Sequence, residues 1–361
     1  MPNQTIRAGV IGFGLGGKVF HAPFINAVPG LELAAIVQRK GDEAAVAYPS
    51  AKIYRTAEDL FADKSIQLIA VTTPNATHFE LARAALLAGK HVVIDKPLTA
   101  TSQEALELIA LAKKQGVILS AFHNRRWDAD FKTVKQILAS GELGRLVRFE
   151  SHFDRFRPLP RTGWKDSAND ANGMLFDLGP HLVDQALALF GRPKSVTASV
   201  RRDRDVTQVE DAFDITLHYD GLLACMSASM LACDPSARFL LHGTLGSFRK
   251  FGLDPQEHAM VAGAKPPRVG SAEVWLAEPQ SAWGTLTTAT DAAFPEQHIT
   301  RKIPSLNGDY RDYYAAVRDA ILGNSSELVT GRDGYRMLRV LEMARESTRT
   351  ECAIKVQDAD W

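Results

Sequence analysis

Cysteine is scarce in this chain: three residues among 361, Cys225, Cys233 and Cys352, odd in number and in no metal-binding spacing. A disulfide framework and a structural zinc site are disfavoured, no metal is expected, and a reducing cytoplasm fits. Neither sign of charge is in excess, because 42 Lys and Arg offset 42 Asp and Glu. The net basic face that nucleic-acid or membrane-surface binding usually needs is therefore not expected. No stretch approaches the roughly 18 apolar residues of a membrane span. The first apolar stretch is broken by glycines and reads as a strand and turn, not a signal peptide. Internal repeats and low-complexity tracts are missing as well. What is expected is a soluble cytoplasmic protein, too long for one comfortable core and so built from two domains.

The first third alternates short β-branched runs with helical patterns, which signals a parallel sheet covered on both faces. Strands are expected at Ile6–Ile11, Leu33–Val37, Lys52–Tyr54, Gln67–Thr72, His91–Ile94 and Val117–Ala121. A helix over Thr77–Ala88 stops at Gly89, and Thr101-Ser102-Gln103-Glu104 is a capping box opening a helix to Gly116. This predicts a doubly wound Rossmann domain over residues 1–122. From 123 to 361 the pattern becomes α+β, with a large, mostly antiparallel open sheet. A helix at Trp127–Ala139 precedes alternating segments at Leu146–Phe156, Ser195–Arg202, Ala212–Tyr219, Leu222–Met230 and Ala237–Leu241. Residues 254–300 have weak periodicity and read as hairpins and loops. Helices at Tyr310–Leu322 and Arg332–Glu346 finish the chain.

Gly12-Phe13-Gly14-Leu15-Gly16-Gly17 follows the first strand and opens a helix, the context in which a GxGxxG pattern binds a dinucleotide. Gly12 permits a tight turn, Gly14 lets the backbone approach a pyrophosphate, and Gly17 allows close helix–sheet packing. A strand ending in Asp or Glu accepts the ribose 2′-OH of NAD and repels a 2′-phosphate. Here the second strand exits into Gln38-Arg39-Lys40, with Glu32 at its wrong end. Arg39 offers a planar fork to a phosphate, which favours NADP and leaves NAD open. Thr73, Pro74 and Asn75 sit at the next strand end, with His78 on the following helix; they either line the cofactor or serve the turn alone.

His91-Val92-Val93-Ile94 ends in Asp95-Lys96-Pro97, a charged pair where open α/β sheets bind ligands. A cis Lys96–Pro97 bond would aim Lys96 at that ligand. Farther on, Gly173-Met174-Leu175-Phe176-Asp177-Leu178-Gly179-Pro180-His181 precedes a helix running to Phe190. Pro180 belongs in a first turn, which places Asp177 near the cap, His181 inside that turn, and both on one face. The glycines before them would let the turn approach a ligand. A helix N-terminus disfavours imidazolium, so His181 is suited to accept a proton. Phe122-His123-Asn124-Arg125-Arg126-Trp127 marks the domain crossover, as cleft lining or as a salt-bridge cluster.

Together these motifs resemble the Gfo/Idh/MocA oxidoreductases over essentially the whole chain. Asp95-Lys96-Pro97 stands where that family has Glu-Lys-Pro, and residues 172–181 match its Gly-Gly-x-x-x-Asp-x-Gly-x-His motif with Asn172 for the first Gly. Phe20-His21-Ala22-Pro23, the 122–127 segment and Ser151-His152-Phe153-Asp154-Arg155-Phe156 look like the branch with NADP-dependent scyllo-inositol 2-dehydrogenases. The resemblance implies hydride transfer between a nicotinamide and a secondary alcohol carbon of a cyclic polyol or sugar. It implies catalysis by Lys96, Asp177 and His181, and substrate contacts from Arg126, His152 and Asp154. Cofactor contacts are implied for Phe13, Asp95, Lys96, Asn124 and Arg125 beside the glycines, and homodimers or dimers of dimers for the assembly. A glycosidase using NAD for transient oxidation, or a non-catalytic NADP(H)-sensing protein, is the alternative on the same fold.

Overall fold

A central parallel strand is buried on both faces and reads as an apolar run, and the first sheet is made of such runs. The computed structural model describes residues 5–159, 172–268, 275–290, 293, 296–324 and 328–361. They form two compact units. The first comprises residues 1–124, 257–275 and 309–335, and the second comprises residues 125–256, 276–308 and 336–361.

In the first unit, strands β1 (Ile6–Ile11), β2 (Leu31–Val37), β3 (Lys52–Tyr54), β4 (Leu68–Val71), β5 (His91–Ile94) and β6 (Leu119–Ala121) form one sheet. Its order is β3-β2-β1-β4-β5-β6 and every pairing is parallel. The order reverses between β1 and β4, the switch point at which such sheets bind ligands. Ala8, Val10, Ile36, Leu68–Val71 and Val92–Ile94 are wholly buried, so each inner strand reads as an unbroken apolar run. β2 starts at Leu31, two residues earlier than expected. Glu32 is consequently inside the strand, paired with Arg7 at 2.6 Å. The capping box at Thr101 forms, and Gly116 closes its helix in the left-handed conformation. The Lys96–Pro97 bond is cis.

The second unit carries a nine-stranded sheet. Strands β7 (Leu146–His152), β8 (Ser195–Arg201), β9 (Ala212–Tyr219), β10 (Leu222–Ser229) and β11 (Phe239–Gly243) come first in the chain. Strands β12 (Gly246–Lys250), β13 (Gly284–Ala289), β14 (His298–Ile303) and β15 (Ile354–Lys355) complete it. The order is β14-β13-β12-β11-β7-β10-β9-β8-β15, antiparallel except where β7 meets β10. Phe149 of β7 packs on Phe190 of the helix Gly179–Phe190, with ring centroids 5.2 Å apart. That helix therefore covers the face to which Phe149 and Ser151 point. Within the stretch read as hairpins and loops, the β13–β14 hairpin and loops form as expected, and the helix Pro255–Val261 departs from that expectation. No helix among the described residues is long and apolar enough to cross a membrane.

Arg238 fastens helices to sheet in this unit. Its guanidinium donates to Ser151 Oγ of β7 and, at 2.7 Å, to Gln185 Oε1 of the covering helix, and lies 3.4 Å from Asp130 Oδ2. Arg238 and Asp130 are both buried. Removing one partner of a buried ion pair leaves an uncompensated charge. Arg238→Met is therefore expected to destabilise the protein by about 3–5 kcal/mol, read from the midpoint of urea unfolding.

Candidate active site

The glycine turn after β1 is set by three contacts that leave little freedom. Gly12 has φ +99°, and its N–H donates to Val37 O at 3.1 Å. Thr72, at the end of β4, donates its hydroxyl to Ile11 O and Gly12 O, each at 3.0 Å. A Cβ on Gly17 would stand 2.0 Å from Gly12 O, so the helical segment approaches the strand end as closely as glycine permits. A Cβ on Gly14, by contrast, would meet nothing within 4 Å, and its φ is not positive. Among the described residues no protein atom requires glycine at 14, and its backbone is open to close approach. The residues present fit a dinucleotide pyrophosphate. Phe13 is buried and packs edge-on against Tyr48, 6.2 Å between centroids.

The turn leaving β2 holds its two cations outward. Arg55 donates to Gln38 O at 3.0 Å and to Gly41 O at 2.6 Å, and pairs with Asp42 at 2.6 Å. Gln38 Oε1 accepts from Ala44 N at 2.9 Å. Arg39 and Lys40 between these anchors are exposed, with no hydrogen bond or ion pair to the described residues. Arg55 carries no motif, and Thr72 resembles any strand residue, so neither announces its part in the sequence.

At the end of β5, Asp95 Oδ1 accepts the backbone N–H of Lys96 at 2.8 Å. Burial pushes the Asp95 carboxyl up, but His21, Lys96 and His78 outweigh it and bring the pKa down to about 2. A Cβ on Gly16 would lie 2.8 Å from Asp95 Oδ2, which places the glycine turn directly against this carboxylate. His78 is fully buried, Nδ1 2.8 Å from Pro97 O and Nε2 2.8 Å from Thr73 O. It joins the turn holding Lys96 to the turn holding Thr73 and Pro74, and burial drives its pKa down. The hydroxyl of Thr77 closes the latter turn on Thr73 Oγ1 and Pro74 O, at 2.7 and 2.8 Å. Asn75 opens the short helical turn Asn75–Thr77.

In the second unit Asp177 ends a short helical turn, Met174–Asp177, and His181 is the third residue of the next helix. Leu178 is that helix's N-cap, with no side chain capping it, so Asp177 stands next to the cap and His181 in the first turn, as expected. The i, i+4 pair straddles two helical segments. Asp177 Oδ2 accepts from Arg155 Nη1 at 3.4 Å. Gly173 has φ +86°, and a Cβ there would lie 2.9 Å from Glu210 O, so this backbone requires glycine. His181 is buried. Arg155, quoted above only as part of a motif, is the side chain the structure brings to Asp177.

The remaining expected residues are dispersed. Arg126 gives its fork to Asp184 at 2.8 and 2.6 Å, and Gln185 donates to Arg125 O at 2.8 Å. Arg125 pairs with Asp128 at 3.1 Å and stands 5.1 Å from the Phe153 ring. Asn124 is buried at the end of the first unit's leading segment. Residues alternate along β7, so His152 points away from the face covered by the helix of His181. There His152 Nε2 meets Glu150 Oε2 at 3.2 Å. Asp154 accepts the N–H of Ser236 at 3.0 Å. The structure does not bring His152 to Asp177 or His181; a strand residue two places from Glu150 shares that residue's face.

Two family models match this chain. An oxidoreductase family model described as an NAD-binding Rossmann fold spans residues 6–123, and the GFO/IDH/MocA C-terminal domain spans residues 131–249. The chain belongs to the Gfo/Idh/MocA oxidoreductases. It is 42% identical over 347 residues to the uncharacterized oxidoreductase YdgJ of Escherichia coli K12, 96% of this chain and 97% of that one. To IolW of Bacillus subtilis 168, described as a scyllo-inositol 2-dehydrogenase (NADP(+)), it is 36% identical over 354 residues, 98% of this chain and 97% of the relative. The solved structure of yvaA from Bacillus subtilis matches at a TM-score of 0.92 and 36% identity, covering 99% of this chain and 100% of that one.

The two glycines predict opposite phenotypes. Gly17→Ala is expected to lower stability by at least about 1–3 kcal/mol in denaturant melts, because its Cβ overpacks a backbone oxygen. Gly14→Ala is expected to melt like the parent and to lose dinucleotide affinity at least about tenfold in fluorescence titration, a step of 1.4 kcal/mol.

Proposed function

We propose that this oxidoreductase exchanges a hydride between NADP and a secondary alcohol or ketone carbon of a cyclic polyol or sugar of the scyllo-inositol type. Whole-length likeness to IolW carries the reading. Also in support, the chain is 29% identical over 226 residues to mouse trans-1,2-dihydrobenzene-1,2-diol dehydrogenase, 60% of this chain and 66% of the relative. The glycine turn Gly12–Gly17 would hold the pyrophosphate, the turns of Thr73–Asn75 and Asp95–Lys96 would flank the cofactor, and Arg39 would meet a 2′-phosphate. NADP over NAD rests on the absence of an acid at the β2 exit and on the exposed Arg39–Lys40 turn.

When bound, the nicotinamide supplies the hydride chemistry. The protein's task in oxidation is then to take one proton and to stabilise the negative charge that grows on the substrate oxygen. Lys96, which can donate three N–H bonds, would give one to that oxygen. His181 would remove the hydroxyl proton and return it in the reverse direction. Asp177, with Arg155 at 3.4 Å, would orient hydroxyl groups of the substrate. A homodimer or a dimer of dimers is proposed as the assembly.

A screen of inositols, pentoses and hexoses with both cofactors, followed at 340 nm, tests the substrate class; no turnover with any of them rejects it. Arg39→Ala is expected to raise KM for NADP far more than KM for NAD, and a parent enzyme with higher kcat/KM for NAD refutes the preference. Lys96→Met is expected to keep NADPH binding and lose about 10²–10³ in kcat. Equal loss of NADPH binding would make Lys96 a cofactor residue instead.

A further inference from the structure

His21 takes no part in the chemistry above, yet it is a fully buried titratable ring beneath Asp95. It ends the π-helical turn Gly16–His21, whose first residue, Gly16, also borders Asp95 Oδ2. The ring lies on Phe122, with centroids 4.0 Å apart. Nδ1 is 2.6 Å from the hydroxyl of Tyr314, which is also fully buried. Nε2 is buried without a hydrogen bond among the described residues and stands 3.8 Å from Asp95 Oδ2. The other ionisable groups around it are Lys96, His78 and Tyr313.

The tautomer follows from these partners. Burial among aromatic rings keeps Tyr314 protonated, its pKa far above the ordinary value. Its hydroxyl hydrogen can then go to Nδ1, which puts the ring's own proton on Nε2, facing the carboxylate. The opposite tautomer would turn a lone pair toward a negative oxygen and leave both groups worse off. A half-buried carboxylate without a donor on that side would rise in pKa.

We propose that His21 is a positioning residue for the reactive end of β5. With its tautomer set by Tyr314, it presents Nε2–H to Asp95 and holds, in the charged form, the carboxylate that anchors the backbone N–H of Lys96. This rests on the reading of Lys96 as the group that meets the reacting oxygen. Because Gly16 and His21 bracket the same carboxylate oxygen, the turn that binds the dinucleotide and the residue that serves the reaction share one support. Without a donor on that side the carboxylate would be free to turn, which would loosen its grip on the Lys96 N–H and the placement of the lysine.

The test follows the Asp95 carboxyl directly. Protein labelled with ¹³C at Asp carboxyl carbons is titrated by NMR, with Asp95→Asn assigning the signal. In the parent, Asp95 is expected to stay ionised below about pH 4, where a free aspartate takes up its proton. His21→Phe, which keeps a ring but has no donor, is expected to move the midpoint up by more than about one unit. His21→Gln, whose amide can still donate, is expected to restore most of the shift. Tyr314→Phe removes only the hydroxyl that sets the tautomer; it is expected to shift Asp95 the same way by less, and it decides the matter if His21→Phe does not fold. Turnover on the best substrate of the 340 nm screen should fall about tenfold in His21→Phe and recover in His21→Gln, with NADPH affinity within about twofold of the parent. An Asp95 midpoint unmoved in His21→Phe, or in Tyr314→Phe when the former fails to fold, overturns the proposal. Full activity in Lys96→Met would instead remove the reading on which it rests, while the carboxyl titration still reports on His21.

Discussion

A carbonyl oxygen and a glycine that cannot carry a side chain fix the start of the first unit. A Cβ on Gly17 would fall 2.0 Å from Gly12 O, inside the radius of any real contact. The segment after β1 therefore leaves the strand at one approach only. Thr72 locks the approach from β4 by donating to the two carbonyls before the turn. Both strands flank the point where the sheet order reverses. The opening that a dinucleotide needs is a consequence of these backbone contacts, and Gly14 is the residue they leave facing nothing.

In the second unit the corresponding constraint is ionic. The helix that begins with Gly179, Pro180 and His181 is seated on the sheet by Gln185, which receives from Arg238 and donates to Arg125 O. One residue earlier, Asp184 takes the fork of Arg126. Burying guanidinium and carboxylate groups is costly, and such pairs add little net stability over apolar packing. What they supply is orientation: two side chains adjacent in the helix each require a partner at one distance and angle. A sliding or rotated helix would strand buried charges. Arg126, through Asp184, thereby holds the helix of His181.

Much of this was legible in the sequence, for reasons that differ by element. The six parallel strands declare themselves because each is a short β-branched run closed by a turn, and the capping box at Thr101 and the glycine at 116 carry their own chemistry. β12 and the helix Pro255–Val261 went unread because segments of five and seven residues with mixed polar and apolar side chains show no marked period. Asp177 was placed correctly beside the cap, because Pro180 fixes where the helix can begin, but the separate turn Met174–Asp177 before it has no marked signal. The positive φ of Gly173 against Glu210 depends on a contact far along the chain and was equally hidden. Arg55, Thr72 and Arg155 act through partners 17, 60 and 22 residues away, and no pattern in a single chain announces such pairs.

The substitution of Asp for the family's Glu at position 95 can now be placed physically. One methylene fewer draws the carboxylate back toward β5, where Lys96 N donates to Oδ1 and the free oxygen rests against Gly16 and His21. Glycine at 16 leaves that oxygen its room, since a Cβ there would stand 2.8 Å from it. The three positions are therefore coupled. On the proposal made above, the shorter acid is met by a donor that comes to it, since Nε2 of the fully buried His21 stands 3.8 Å from its free oxygen. Lengthening the acid alone would drive a charged oxygen toward Gly16 and the Gly12–Gly17 turn. On that reading an Asp at 95 and a His at 21 are two halves of one solution.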